Sequence, residues 1–371
     1  MPVKRIRLTV LIILIIFTAA GCWDARDVED KDIVITVAVD RTAEGAHAFY
    51  VKVASVSAGG ESGTQNKTGF TSRLVTGMGG SYIEARENID RSADNPIFLG
   101  SVQTIILTER LAYSGIEDYM LRVRQTPEYR KTLDVVVTPT EPVTLLNYEP
   151  ENEHTAGFAI ESVIKSLVDS GQTFDFSLGD LLGIIASRNK CFLLHNVALK
   201  ENIAVIGYSI FDNGICTGFI PIEESKGVLF LMADAPQPYY NIGFSMGNAA
   251  VRVRSVAKDI RPYYNDGKIS FDLSFDINAQ VLSLSGNIKI SEQTRQEIES
   301  GLEAKILDDL SKAVMKSQSL GCDYLDFHTF FRIRYPEEAN NMDWKEEYKR
   351  AAFNISVSAK LDLVSTVNYS E

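Results

Sequence analysis

The stretch from Glu292 to Met315 carries Ile298, Leu302, Ile306, Leu310 and Val314 at four-residue steps and is otherwise mostly polar, so it reads as one long helix with a single apolar stripe. Such a helix must lay its stripe on a flat apolar surface. The sequence supplies one. Phe353, Ile355, Val357, Ala359, Leu361 and Leu363 alternate without a break, the pattern of a strand with one buried face. Val251–Arg254 and Ile269–Ile277 alternate on either side of Asn265-Asp266-Gly267, a hairpin turn signal. The C-terminal part is therefore expected to be a helix packed on a sheet.

Upstream, Ile33–Val39 and Phe49–Val53 are β-branched runs around Glu44-Gly45, which predicts an antiparallel pair. The stretch Ser57–Gly80 is rich in Gly, Ser and Thr and is expected to be a long exposed loop or ribbon. Ser81-Tyr82-Ile83-Glu84 opens a helix with a capping-box pattern, and Asn95-Pro96 closes it. A strand over Ile97–Leu107, a helix over Glu109–Arg124 with Gly115 inside, and a strand over Leu133–Val137 complete an α+β unit. Helices over Thr155–Val168 and Leu178–Ile185 follow, then strands over Phe192–Leu199 and Ile203–Phe211, the latter closed by the turn Asp212-Asn213-Gly214. The fold class is α+β and multi-domain, with mostly antiparallel or mixed sheets and packed helices. Three regions are expected: 1–21, a leader; 22–200, an N-terminal region that leaves open a break near residue 150; and 201–371, a C-terminal domain, with the main boundary near Glu201.

The leader has its own logic. Lys4, Arg5 and Arg7 precede an apolar run, Leu8–Ala20, that falls short of the roughly 20 residues a membrane helix needs. It ends at Ala19-Ala20-Gly21 before Cys22, the acceptor arrangement of a bacterial lipoprotein signal, so Cys22 is the expected lipidation site and first mature residue. Position −3 is Ala19 where Leu is usual. Two or three acyl chains, at about 0.8 kcal/mol per buried methylene, hold a protein on a membrane where a single chain does not. Trp23 would sit at the membrane interface beside the lipid. The chain has a formal net charge of −12, which falls by three more when the leader leaves with its cations. A body that acidic is repelled by phosphates and anionic lipid, which speaks against nucleic-acid binding and leaves the lipid as the tether.

No assembled catalytic or metal site emerges from the residues. Gly243-Phe244-Ser245-Met246-Gly247 spells a nucleophile elbow, with Asp323 or Asp326 and His328 following in chain order, but an elbow needs a helix after it and Val251-Arg252-Val253 begins a strand. Gly77-Met78-Gly79-Gly80 before a helix lacks the lysine of a phosphate loop and reads as a flexible helix entry. The four histidines, His47, His154, His195 and His328, are scattered. Cys191 and His195 would share a strand face but stand about 13 Å apart at roughly 3.3 Å per residue, too far to share a metal unaided. Glu223-Glu224 and Asp308-Asp309 read as solvated surface. Cys191, Cys216 and Cys322 are few and unclustered, so they imply buried thiols, with one disulfide open in an exported chain.

Several segments together resemble the Ger(x)C family of spore germination lipoproteins, the C subunits of nutrient germinant receptors. They are Gly21-Cys22-Trp23-Asp24, Val37-Ala38-Val39-Asp40, Leu111–Ile116, Pro127-Glu128-Tyr129-Arg130 and Gly207–Phe211 with Glu223 and Glu224 after it. The C-terminal segment is the most specific: Cys322-Asp323-Tyr324-Leu325-Asp326-Phe327, then Trp344, then Phe353 at the head of the alternating strand. Ser101 stands where the family pattern has His, and no glycine follows the last strand near Thr366. The resemblance implies a non-enzymatic subunit without cofactor, tethered through Cys22 to the outer face of the inner spore membrane. It further implies work as a scaffold or transducer beside a large membrane subunit and a transporter-like subunit. A solute-binding lipoprotein holding a small ligand is the alternative, against which the antiparallel hairpins speak.

Overall fold

The computed structural model describes residues 31–56, 70–285 and 291–362. Cys22, Trp23, the leader, residues 57–69 of the expected loop, Leu363 and Thr366 lie outside the described residues.

The first sheet contains β1 (Asp32–Arg41), β2 (His47–Val56), β3 (Phe70–Gly79), β4 (Ile97–Phe98), β5 (Thr104–Thr108), β6 (Asp134–Thr138), β7 (Cys191–Leu199), β8 (Ile203–Asp212) and β9 (Ile215–Pro221). Its order is β3-β2-β1-β5-β6-β7-β8-β9, with β4 beside β1. The centre, β1-β5-β6-β7, is parallel, and the flanks are antiparallel. A parallel centre needs both faces covered, and the Val- and Ile-rich β5 and β6 are buried almost throughout. Val37, Val39, Ile105, Leu107, Val135 and Val137 share a core with α1 (Tyr82–Asp90), α2 (Glu109–Ser114) and α3 (Glu117–Gln125). The intervening Ala38, Ile106 and Val136 pack instead with Leu145 and Leu146 of α4 (Pro142–Leu146) and Ile160 and Ile164 of α5 (Ala156–Asp169). Next come α6 (Leu178–Ile185), capped by a reciprocal Ser177–Asp180 box, and α7 (Lys226–Met232).

The second sheet has the order β10 (Tyr239–Phe244), β11 (Gly247–Asn265), β12 (Lys268–Leu284), β13 (Ala352–Asp362). The long helix is α8 (Glu292–Leu320), and its stripe of Ile298, Leu302, Ile306, Leu310 and Val314 is fully buried or nearly so. It lies on this sheet as its pattern requires. Glu303 and Glu299 of α8 accept the Ala359 and Leu361 N–H groups of edge strand β13 at 2.9 and 2.8 Å, which blunts part of an open edge. On its other side α8 meets α7 so closely that a Cβ on Gly227 would stand 2.0 Å from the Asp309 carbonyl oxygen. α9 (Phe327–Arg334), α10 (Pro336–Asn341) and α11 (Trp344–Arg350) close the end of this half. One apolar core runs through both sheets.

The multi-domain α+β class holds. Several local expectations are corrected. Of the stretch expected as a loop or ribbon, residues 70–79 form β3, paired with β2 from Val56↔Phe70 to His47↔Gly79. Glycine there serves packing: a Cβ on Gly77 would lie 2.0 Å from the Ala85 carbonyl oxygen of α1. The single strand over 97–107 is split, because the chain turns at Gly100 over the Phe98 ring and Val102 N–H bonds back to Leu99. The helix over 109–124 breaks at Gly115, whose φ of +109° no helix accommodates. Trp344 starts α11, which follows α9 and α10. The pairing of the large sheet passes Glu201 without interruption, since β8 and β9 belong to it.

Candidate functional site

The segments singled out in the sequence meet at joints. Asp40, 1% exposed near the end of β1, accepts from the Thr108 hydroxyl and, at 2.5 Å, from Arg110. Arg110 reaches on to Glu141 at 3.0 Å, so a buried carboxylate is paired and hydrogen-bonded as its burial demands. This cluster occupies the carboxyl ends of parallel strands β1 and β5, the place where open α/β sheets commonly bind ligands.

Pro127–Arg130 secures the turn between β4 and β5. Glu128 accepts the Leu99 N–H at 3.1 Å, and Arg130 donates to the Val102 carbonyl at 3.1 Å and to Gln103 at 2.6 Å. Ser101 lies in this turn, where its carbonyl accepts from Gln103. After Gly115, the Ile116 N–H donates to the Gly214 carbonyl at 2.9 Å and ties α2 and α3 to the β8–β9 turn. Gly207, at φ +153°, lets β9 approach where a Cβ would stand 2.1 Å from the Ile220 oxygen. Tyr208 shares a buried triad with Thr173 and His195, at 2.7 and 2.8 Å through the Thr173 hydroxyl. Burial there drives the His195 imidazole down to about 4.

The C-terminal segment forms the most elaborate joint. Asp323, 2% exposed, accepts from the Phe327 N–H at 3.0 Å, the His328 N–H at 2.7 Å and the Trp344 indole N–H at 3.0 Å. Burial pushes its carboxyl up to about 7, against the pull of those three donors. Around it Phe327 packs on Phe271 at 5.0 Å and Phe353 at 4.8 Å, while Trp344 packs on His328 at 5.0 Å and Phe331 at 5.4 Å. The joint is tied to the first sheet. Asn189 donates to the Asp323 carbonyl at 2.9 Å, Cys322 donates to the Phe211 carbonyl at 3.2 Å, and Lys345 reaches Asp212 at 2.5 Å. Cys191 and Cys322 adjoin across this seam, and Cys191, Cys216 and Cys322 are all buried free thiols.

The residues of the elbow spelling are not brought together. Ser245 lies in the exposed β10–β11 turn, its N–H bonded to Glu297 at 2.9 Å near the start of α8. Asp323 and His328 lie beyond the other end of that helix, separated by roughly 35 Å of helical rise. His195 is packed in its triad, and His47 faces the Tyr82 ring at 4.1 Å. Among the described residues no group of three His, Cys, Asp or Glu is arranged for a metal ion. Glu223 and Glu224 are both exposed in a short 3-10 turn, and Asp309 accepts from the Tyr240 hydroxyl at 2.7 Å. The sequence did not reveal Arg110 or Thr173 as partners, because only the sheet order brings them to Asp40 and His195.

Two family models cover nearly all of this architecture: the spore germination protein N-terminal domain matches residues 24–199, and the spore germination B3/GerAC-like C-terminal model matches 206–364. The chain belongs to the Ger(x)C family of spore germination proteins. It is similar to spore germination protein KC of Bacillus subtilis (strain 168), 20% identical over 380 residues, with 93% of this chain and 92% of that protein covered. It is also similar to spore germination protein GerQC of Bacillus cereus, 26% identical over 162 residues, which cover 43% of this chain and 41% of that one. The crystal structure of the GerBC protein shares the fold, with a TM-score of 0.60 at 15% identity over 88% of this chain and 96% of the other.

Proposed function

We propose that this chain is the C subunit of a nutrient germinant receptor, a non-enzymatic scaffold or transducer tethered by lipid at Cys22 to the outer face of the inner spore membrane. It works beside a large membrane subunit and a transporter-like subunit. The observation that carries this reading is the ordered match of both family models across nearly the whole chain. The use of the polar residues supports it. Asp40, Glu128, Arg130, His195 and Asp323 are each engaged in holding elements together, as a protein whose work is to present surfaces to partners requires. The occupied carboxyl ends of β1 and β5 count against the solute-binding alternative, since the Asp40–Arg110 pair fills the position a ligand would take.

Spores lacking the chain, complemented with the native gene or with Cys22→Ala, test the proposal. The native gene is expected to restore germination in response to the nutrient of this receptor, and Cys22→Ala is expected to restore little. Full restoration by a Cys22→Ala protein that is absent from the membrane fraction would remove the tether from the account.

A further inference from the structure

A narrow cleft of about 30 Å³, open at its mouth, lies between α1, α3 and the first sheet. Tyr82, Tyr119 and Tyr129 wall it, and Arg86 and Arg122 line it. Tyr119 and Tyr129 are 3% and 4% exposed, and their hydroxyls meet each other at 3.5 Å. In such a pair one hydroxyl donates and the other keeps a proton with nothing to accept it among the described residues. Burial holds both phenols in the protonated, donating form, and the Arg86 charge acts on the Tyr129 hydroxyl.

The two arginines are half-buried and engage no carboxylate among the described residues. The neighbouring Glu128 accepts the Leu99 N–H through one oxygen, and its charge acts on the Tyr129 hydroxyl against that of Arg86. The cavity is therefore rich in donors and positive charge and poor in acceptors. Water can accept a spare phenol proton but leaves both guanidinium charges unneutralised. A planar carboxylate accepts from guanidinium in a two-pronged fashion and can take a phenol proton as well.

We propose that this cavity is a binding site for a small carboxylate, held by Arg86, Arg122 and the Tyr119–Tyr129 hydroxyl pair. The narrow walls select the carboxylate head of a small molecule. Sodium acetate titrated into the full chain at constant ionic strength, with sodium chloride as the balancing salt, is the test. Ligand that binds only the folded state raises the melting temperature, by roughly 2–5 °C at ten times its dissociation constant. The expected result is a saturable rise with acetate, absent with chloride and lost in Arg86→Gln and Arg122→Gln. Tyr129→Phe keeps the ring and removes one hydroxyl, so it is expected to fold normally and to weaken the acetate response severalfold. No acetate-specific rise in the native chain, or a rise kept in full by Tyr129→Phe and both arginine variants, would overturn the assignment. A response to inorganic phosphate with none to acetate would overturn the carboxylate class.

Discussion

Replacing Asp323 by Ala tests how the C-terminal joint is held. The side chain satisfies three buried donors, two main-chain N–H groups and the Trp344 indole. A buried donor left without a partner costs about 1–3 kcal/mol, so three of them set a penalty of about 3–6 kcal/mol after partial relaxation. That is a large share of the roughly 5–15 kcal/mol that stabilises a domain. The penalty must depend on pH. The carboxyl is raised from 3.8 to about 7 in the fold, so the folded state holds the proton more tightly than the unfolded chain. Its contribution is fully present below 3.8 and is lost as pH rises through about 7, by an amount on the order of 4 kcal/mol. Asp323→Ala lacks this term. The variant should therefore melt about 10 °C below the native chain at pH 5, at roughly 2–4 °C per kcal/mol, and the gap should narrow by pH 8. Melting followed by near-ultraviolet circular dichroism at both values is the assay. A gap that widens from pH 5 to pH 8 would mean that the three donors outweigh burial, and a gap under about 2 °C at pH 5 would mean that the joint is not held here.

His195 should behave in the opposite sense. Its folded value near 4 lies below the ordinary 6.5, so its contribution is present above 6.5 and is lost as pH falls through 4; a His195→Gln chain should lack this acid-side loss of about 3 kcal/mol, measurable as melting temperature against pH. Phe353→Ala removes a half-buried ring stacked on Phe271 at 5.1 Å and is expected to cost about 2–3 kcal/mol, below the range for a fully buried aromatic, with the half-buried Trp344→Ala close behind; spore content of the protein, measured by immunoblot, should fall with both. If both variants kept native stability and abundance yet lost germination, these aromatics would belong to a partner surface. Ser245→Ala and His328→Ala should leave germination within about the range their stability changes predict, and loss of function at native abundance would restore a catalytic reading. Cys22→Ala should leave an uncleaved or soluble form, read by mass and by membrane fractionation.

The long helix and its sheet were legible in the sequence because their periodicities are nearly unbroken: the apolar stripe of α8 and the alternation of β12 and β13 each state which face is buried. The turns Asp212-Asn213-Gly214 and Asn265-Asp266-Gly267 were legible for a different reason, since Asn213 and Asp266 adopt positive φ together with the glycines that follow them. What local pattern left open was strand β3, whose Thr, Ser and Gly residues read equally as loop or ribbon. It exists because β2 offers a paired edge and because Gly77 and Gly79 let α1 rest directly on it. The same holds for the joints. Asp323 was visible as an acid within an aromatic motif, yet its role depends on Trp344, which lies 21 residues away and is brought near by α9 and α10. The carboxylate-type cavity escaped notice because Arg86 and Arg122 belong to two separate helices and look like ordinary surface cations in the sequence.

The central proposal is that this chain works only as a tethered member of a receptor assembly. Purification of the tagged, native-length chain from detergent-solubilised spore membranes, with the associated proteins quantified by mass spectrometry, tests this most directly. The account predicts the large membrane subunit and the transporter-like subunit of one receptor in near-equal amounts with it, and loss of both from the preparation when Cys22 is replaced by Ala. Recovery of the chain alone from native membranes, with nutrient-triggered germination unchanged in spores that lack it, would contradict the account.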